Sequence, residues 1–301
     1  MKKLISIMLA LVMVLALCAC GSKNAATGTD TGSAAATGTD ADKYVVLDTP
    51  ISTEQYGIAF KKGATELATA VKEQLDAMWA DGTFKKIAET WQNGLPDMLC
   101  YEDAKVATPD GAEAIPMDKT KKTLTLGFDA NYPPYGYKDT DGSYVGFDID
   151  LAKEVCTRLG WELKLQPIDW NSKDMELNSG SIDVIWNGMT MTGRENDYTW
   201  VGPYVDNSIV VVVKSDSGIT KLSDLAGKNV ITQKSSSAET ALTASVEDGG
   251  TQANLDLAKS FAKLESTADY NTAFMNLDSG VDDAVAVDIG VANYQLASRN
   301  G

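Results

Sequence analysis

Histidine is absent from the sequence, and cysteine is rare. Since histidine is the commonest general base and the commonest metal ligand, we expect neither a metal nor a cofactor. Two of the four cysteines, Cys18 and Cys20, lie in the N-terminal segment, which leaves Cys100 and Cys156. These two do not form a metal-site pattern, although an exported protein would permit one disulfide between them. Cys156 shares the apolar face of a predicted helix, so we interpret it as a buried small residue.

Basic residues are in the minority, with 26 Lys and Arg against 42 Asp and Glu and a formal net charge of -16. A protein that binds nucleic acid needs a basic surface to neutralise the backbone phosphates. We therefore expect no nucleic-acid partner. The acidity favours solubility and does not identify a ligand by itself.

A run of apolar residues long enough to cross a membrane, about 18 or more, is also missing. A shorter run at residues 4–17 follows Lys2 and Lys3 and ends in the cleavage box LCAC. This pattern predicts a lipoprotein signal peptide over residues 1–20, with Cys20 lipidated and the protein anchored on the extracytoplasmic face of the cell membrane. An uncleaved transmembrane anchor is the alternative. Residues 21–43 are mostly small and polar, which predicts a flexible tether.

From residue 44 onward, segments with strand and helix periodicity alternate, which predicts an α/β fold with mostly parallel sheets. Residues 95–122 contain several prolines and no sustained period, so we interpret them as a long connector. The predicted strands are residues 44–48, 56–60, 123–128, 162–166, 183–186, 208–214, 229–232, 263–265 and 283–287, and the predicted helices are 67–78, 84–91, 148–159, 172–178, 237–246, 270–277 and 289–297.

The most informative stretch is DVIWNGMTMTGR at residues 183–194. It begins as an apolar strand that we predict to turn at Asn187 and Gly188. A glycine lets a ligand approach the backbone, threonine hydroxyls and the amides after them donate hydrogen bonds, and an arginine holds a carboxylate in two parallel bonds. The order therefore indicates a carboxylate clamp around Thr190 and Arg194. An ordinary polar turn with a solvated arginine is the alternative.

Five segments together resemble the substrate-binding proteins of ABC transporters for polar amino acids (family 3 extracellular solute-binding proteins), which have the two-lobed type II periplasmic-binding-protein fold. They are GFDANYPPYGY (127–137), YVGFDIDLAKEV (144–155), NGMTMTGR (187–194), VITQKSSSAE (230–239) and DAVAVD (283–288). The family normally ends with a strand, a YGIAF-like segment and two helices, and here that piece, residues 44–91, comes first. The resemblance thus implies a circular permutant in which residues 95–122 join the moved segment to the usual start.

The resemblance also divides residues 44–301 into two lobes with the ligand between them. It implies a first lobe of about residues 56–204, a second lobe of about residues 44–48 and 208–301, and hinge crossings near residues 49–55 and 205–208.

The same resemblance assigns ligand contacts. Arg194 and Thr190 would take the ligand's carboxylate, and Ser236 and Ser237, at a strand-to-helix turn, would add a second hold. Asp288, at the end of a strand, would pair with the α-ammonium. A helix N-cap is the alternative role for Asp288.

The remaining predicted contacts concern the α-ammonium and the ligand's side chain. The Gly188 carbonyl would also accept from the ammonium, Tyr132 and Trp170 would sandwich the side chain, and Asn187 would reach it. A plain core role would suit both aromatics. Asp129, in the loop after a strand, would meet a polar or cationic side chain and would repel an acidic one.

These features predict an uptake receptor that hands a polar, cationic amino acid to an ABC permease, acts as a monomer and does no chemistry. The alternative is an enzyme of the same fold, dehydratase-like and acting on a small carboxylate, with Asp129 or Glu239 as its general acid. A sensing module of a signalling chain is a third interpretation. Two departures from the family pattern are the shortened spacing before Arg194 and Ala238 in place of Gly or Gln.

Overall fold

The computed structural model describes residues 42–300. The predicted signal peptide with Cys20, and the tether up to residue 41, lie outside this part of the chain. Residues 42–300 fall within one compact unit. No helix among them is both long and apolar enough to cross a membrane.

Strands and helices alternate along the described residues, as predicted. The strands are β1 (Tyr44–Val46), β2 (Ser52–Phe60), β3 (Lys105–Ala107), β4 (Thr123–Phe128), β5 (Asn131–Tyr132), β6 (Gly136–Lys138), β7 (Tyr144–Val145), β8 (Glu162–Pro167), β9 (Val184–Thr190), β10 (Thr199–Lys214), β11 (Asn229–Gln233), β12 (Lys263–Thr267) and β13 (Ala284–Asp288). The helices are α1 (Thr65–Ala80), α2 (Thr83–Trp91), α3 (Phe147–Leu159), α4 (Lys173–Ser179), α5 (Ser237–Thr243), α6 (Gln252–Ser260), α7 (Tyr270–Ser279) and α8 (Ile289–Asn300).

The main sheet is mixed, so the prediction of mostly parallel sheets was wrong for its centre. Its strand order is β12-β11-β13-β10-β2-β9-β4-β8, and β1 and β3 also pair with β10. β11 pairs in parallel with β12 and β13, and β4 pairs in parallel with β8 and β9. Between these two groups, β10 and β2 run antiparallel to each other and to their outer neighbours.

The two predicted hinge crossings form a pair of adjacent antiparallel strands. β10 is 16 residues long, and it pairs with β2 in the register Val205↔Tyr56, Asn207↔Glu54 and Ile209↔Ser52. Each crossing therefore satisfies part of the other's backbone hydrogen-bonding groups, as buried segments require. This pairing carries the side chains of both crossings to the middle of the sheet.

Three local predictions were wrong. β9 continues through Asn187 and Gly188, where a turn was expected, because its pairing with β2 extends as far as Tyr56↔Thr190. Gly188 has a positive φ of 55°, and the register between β2 and β9 is irregular near it. Residues 95–122 are not a structureless connector, since they contain β3 and two short 3-10 turns. The helix predicted at 237–246 ends at Thr243, and α6 was not predicted.

Buried apolar side chains form clusters between the sheet and the helices that cover it. Phe60, Val71 and Phe84 belong to the cluster that joins β2 to α1 and α2. Val211 and Val230 belong to the cluster that joins β10 and β11 to α5. Each such side chain contributes about 1.5–3 kcal/mol when removed from water. Polar residues at and near the strand ends form the candidate site.

Candidate ligand-binding cleft

One cleft brings together nine of the ten ligand contacts predicted from the sequence. About 280 Å³ between its walls is free of atoms, a figure that includes space open to solvent, and the cavity itself is only about 10 Å³, so the walls lie close together. It lies where β9, β11 and β13 end, and in α/β folds ligands bind at the carboxyl ends of strands. The lining residues are Tyr132, Trp170, Asn187, Gly188, Thr190, Arg194, Ser236, Ser237 and Asp288, together with Gln233, which was not predicted.

The end of β9 is fixed by a buried carboxylate. The Gly188 amide donates to Asp148 Oδ2 at 2.6 Å, and Tyr204 Oη donates to the same oxygen at 2.9 Å. A Cβ at position 188 would come within 2.9 Å of Tyr132 Cε1. Only glycine therefore fits there, because both its positive φ and the contact with the Tyr132 ring exclude a side chain.

Arg194 reaches the cleft despite the shortened spacing before it. Its side chain is half-buried, and its Nη1 lies 3.5 Å from the Thr190 carbonyl oxygen. The loop is held from behind, where Trp200 Nε1 donates to the Arg194 carbonyl oxygen at 3.1 Å. The guanidinium and the end of β9 thus form one wall of the cleft.

The opposite wall begins at α5. The Ser236 hydroxyl accepts from the Glu239 amide at 3.1 Å and so caps the helix. Glu239 Oε2 accepts from the amide of Ser235, the residue before the cap, at 2.6 Å. The carboxylate suggested as a general acid in the enzyme alternative is therefore engaged in holding the loop.

Asp288 is buried, with 2% of its surface exposed. Its Oδ1 accepts from Tyr56 Oη at 2.7 Å and from Asn207 Nδ2 at 2.7 Å, and its Oδ2 accepts from Tyr270 Oη at 3.4 Å. These donors come from β2, β10 and α7. Burial raises the pKa of this carboxyl, although the hydrogen bonds oppose the shift.

Asp129 is the one predicted contact that does not line the cleft. It is 6% exposed, and its Oδ2 accepts from Gln233 Nε2 at 2.6 Å. The Asp129 amide donates to Asn187 Oδ1 at 3.0 Å. Burial raises the pKa of the Asp129 carboxyl to about 6. The carboxylate thus lies directly behind the Gln233 amide at the edge of the cleft.

The sequence analysis missed three polar residues at this site. Gln233 is the last residue of β11, and its strand-end position was the available signal. Glu54 and Asn207 lie opposite each other in the two predicted hinge crossings. Glu54 accepts from Thr190 Oγ1 at 2.6 Å, so the hydroxyl predicted for a ligand carboxylate donates to this side chain instead.

Three buried carboxyls predict how stability depends on pH. Burial raises the pKa of Glu54 to about 7, of Asp148 to about 7 and of Asp129 to about 6. The folded state therefore binds protons that the unfolded state releases near pH 4, and this stabilisation is lost as pH rises from about 4 to 7. We expect the unfolding midpoint of the ligand-free protein to fall between about pH 5 and pH 7.5 when measured by circular dichroism.

The matched variants for this prediction are Asp148→Asn and Asp139→Asn. Asp148→Asn removes one of the buried titrating groups and should flatten the decline, whereas Asp139 is exposed and its replacement should leave the slope unchanged. A midpoint that rises over this pH range, or a slope that Asp148→Asn does not alter, would contradict the assignment.

The described residues offer no cluster of three or more His, Cys, Asp or Glu side chains suited to a metal ion. Cys100 and Cys156 are both free thiols, and Cys156 is buried as interpreted. The cleft is thus a set of hydrogen-bonding groups around one arginine and one buried carboxylate. Such a set can bind a small zwitterion by its two charges.

Residues 124–278 match the family model of the bacterial extracellular solute-binding proteins, family 3. The arginine-binding extracellular protein ArtP of Bacillus subtilis is 40% identical over 111 residues, which are 36% of this chain and 43% of ArtP. The ABC transporter arginine-binding protein 1 of Escherichia coli is 30% identical over 178 residues, 58% of this chain and 67% of that protein. The match thus spans less than half the length of ArtP.

A solved structure shares the fold. The substrate-binding protein of an ABC uptake transporter from Streptococcus pneumoniae, with bound histidine, superposes with a TM-score of 0.53 at 36% identity. The superposition covers 59% of this chain and 70% of that one. The predicted α/β fold of the type II periplasmic binding proteins is therefore confirmed, although the match leaves the order of the segments untested.

Proposed function

The chain belongs to the bacterial extracellular solute-binding proteins of family 3, and from this premise we propose that it is the extracytoplasmic binding component of an ABC importer. It binds one polar amino acid in the cleft and delivers it to a permease without changing it chemically. The observation that carries the proposal is the convergence of Arg194, Asp288 and the strand ends on one cleft. Relatives named for arginine binding and a structure with bound histidine support an amino acid as the ligand.

The two charged ends of the amino acid define its orientation. Arg194 and the backbone amides at Thr190 and Ser237 bind the α-carboxylate, because a guanidinium and amides are its natural donors. Asp288 pairs with the α-ammonium, and the Gly188 carbonyl accepts from it. The ligand thus contacts both walls of the cleft, which is how a solute holds a two-lobed protein closed.

The side chain of the ligand extends toward Asp129 and Gln233, between Tyr132 and Trp170. A carboxylate behind an amide, with two aromatic rings, favours a cationic or amide side chain over an acidic one. Asn187 adds a polar contact on the same wall. We therefore propose arginine, lysine, histidine, ornithine or glutamine as the ligand.

Asp129→Asn tests the selectivity. We expect this variant to lose about 1–2 kcal/mol of affinity for arginine or lysine and to bind glutamine nearly unchanged, because only a cationic side chain gains from the carboxylate. Isothermal titration with arginine, lysine and glutamine measures the ratio. Asp139→Asn, at an exposed position that does not line the cleft, is the control. An unchanged arginine-to-glutamine ratio would contradict the role of Asp129.

We also propose that the chain is a circular permutant of its family. Supporting this, the two ends of the described chain meet: the amides of Lys43 and Tyr44 both donate to Asn300 Oδ1 at 2.9 Å, and Asn300 Nδ2 donates to the Tyr44 carbonyl oxygen at 3.0 Å. Adjacent ends are what permutation requires. A variant in which residues 44–94 follow residue 301 through a short linker should fold and bind the same amino acid. A reordered chain that cannot fold would contradict this.

Anchoring at Cys20 and delivery to a permease complete the proposal. Labelling with a radioactive fatty acid should modify the wild type and not Cys20→Ala.

Uptake of the labelled amino acid by the producing cells should fall in Arg194→Ala. Unchanged uptake in Arg194→Ala would contradict a role of this protein in import. Direct titration with arginine, lysine, histidine and glutamine would then decide whether the protein binds an amino acid.

A further inference from the structure

A second carboxylate, on Glu54 of β2, does not line the cleft itself but lies directly behind two residues that do, Thr190 and Ser237. Its Oε1 accepts from Thr190 Oγ1 at 2.6 Å, from Asn207 Nδ2 at 2.8 Å and from Ser237 Oγ at 2.9 Å. The donors belong to β9, β10 and α5. One carboxylate oxygen is therefore tied to both walls of the cleft and to the crossing strand, while Oε2 accepts no hydrogen bond from the described residues.

Asn207 lies between Glu54 and Asp288. Its Nδ2 donates to Glu54 Oε1 and also, at 2.7 Å, to Asp288 Oδ1. Asn207 is 5% exposed, and its Oδ1 has no partner among the described residues. Exchanging the amide's oxygen and nitrogen would not help, because the two carboxylates need the donor. A buried acceptor without a donor is costly, so this oxygen and the two carboxylates together suit a cationic group.

The charges around the pair lead to the same conclusion. Two carboxylates this close in a buried site cannot both ionise at low cost unless a cation or a proton lies near them. Tyr56, Tyr132 and Tyr270 face Asp288 and are neutral donors. Within residues 42–300, neither Glu54 nor Asp288 forms a salt bridge. Burial and then the charge of Asp288 raise the pKa of Glu54 to about 7.

We infer that Glu54 and Asp288 together bind the ligand's α-ammonium, and that Glu54 selects α-amino acids against carboxylic acids that lack the amino group. The inference rests on the proposed function, which assigns the ammonium to Asp288 and the Gly188 carbonyl. The ligand's carboxylate is repelled by Glu54 and stays at Arg194 and the backbone amides. The Thr190 and Ser237 hydroxyls then hold Glu54 rather than the ligand.

The test compares ligands that differ only in the α-amino group. L-arginine and δ-guanidinovalerate form one pair, and L-glutamine and glutaramate form another. Titration of Glu54→Gln should show an affinity for the amino acid lowered by about tenfold to a hundredfold, the size of a charged hydrogen bond. Affinity for the analogue without the amino group should be unchanged. Asp206→Asn, which removes an exposed carboxylate that lies opposite Gln55 and accepts from its Nε2, should bind as the wild type does.

Two further readouts separate this role from a structural one. Since Glu54→Gln removes the repulsion within the pair, the ligand-free variant should unfold at a midpoint equal to or above that of the wild type near pH 7.5. The ammonium lowers the pKa of Glu54 on binding, so the wild type should release protons near pH 7, as measured by titration in buffers of different ionisation enthalpy. The variant should release fewer.

Tighter binding of the amino acid by Glu54→Gln would overturn the inference, because Glu54 would then compete with the ligand's carboxylate. An equal loss for both members of a ligand pair would also overturn it, since the contact would not involve the ammonium. If the wild type bound neither L-arginine, L-glutamine nor any of the other common amino acids, the proposed function itself would fail. If the wild type binds an amino acid and Glu54→Gln binds it equally well, the role of Glu54 is rejected and the proposed function stands.

Discussion

Replacing Arg194 by alanine should lower the affinity for the amino acid by about 2–5 kcal/mol, because a buried ligand carboxylate would lose its charged partner. Arg194 is the arginine that lines the cleft. Arg194→Lys keeps the charge and loses the planar pair of donors, so its affinity should lie between those of the wild type and the alanine variant. Titration calorimetry on the three proteins measures the series.

Arg158→Ala is the matched control, since this arginine pairs with Asp81 and Glu154 away from the cleft. It should bind the ligand normally. Full affinity in Arg194→Ala would show that the carboxylate is bound elsewhere, and equal losses in Arg194→Ala and Arg158→Ala would point to a general loss of stability instead.

Asp288→Ala should have a loss of similar size, about 2–5 kcal/mol, because the ligand's ammonium would be buried with one carboxylate fewer. The variant also leaves Tyr56 Oη and Asn207 Nδ2 without an acceptor on that side, which lowers the stability of the ligand-free protein. Asp288→Asn keeps an acceptor for these donors. Loss of binding with a preserved unfolding midpoint in Asp288→Asn would therefore assign the effect to the charge.

The control is Asp282→Asn, because Asp282 is also buried, at 3% exposure, and does not line the cleft. Its replacement should not change the affinity. An Asp288→Asn variant that binds the amino acid as tightly as the wild type would remove Asp288 from the ammonium site, and the role inferred for Glu54 would then lack its partner.

Most of the predicted contacts that line the cleft lie at or soon after a strand end, whereas Asn187 and Gly188 lie within β9. Asp288 ends β13 and Thr190 ends β9, and both were predicted as contacts from the residues that follow these strands and from the family resemblance. The turn predicted at Gly188 was wrong because local propensity does not include the ladder that β2 provides. The resemblance and the local patterns therefore predicted residues that converge on one cleft, while the end of the strand that carries three of them was predicted wrongly.

The residues that were missed depend on contacts between distant parts of the chain. Glu54 meets Thr190 and Ser237, which lie 136 and 183 residues away. Asn207 meets Asp288 only because β10 pairs with both β2 and β13. The sheet was predicted as mostly parallel and is mixed for the same reason, because strand pairing depends on distant parts of the chain. The periodicity of the sequence does not encode which strands become neighbours. The contacts of Glu54 with Thr190 and Ser237 could therefore not be predicted from it.

The most direct test is thermal unfolding of the wild type and Arg194→Ala against each common amino acid at millimolar concentration. A ligand at about 100 times its dissociation constant stabilises the folded state by roughly 2.7 kcal/mol, which shifts the midpoint measurably. We expect a shift for a small set that includes arginine, lysine, histidine or glutamine, and its loss in Arg194→Ala. No shift with any amino acid, or an equal shift in both proteins, would contradict the proposed binding site.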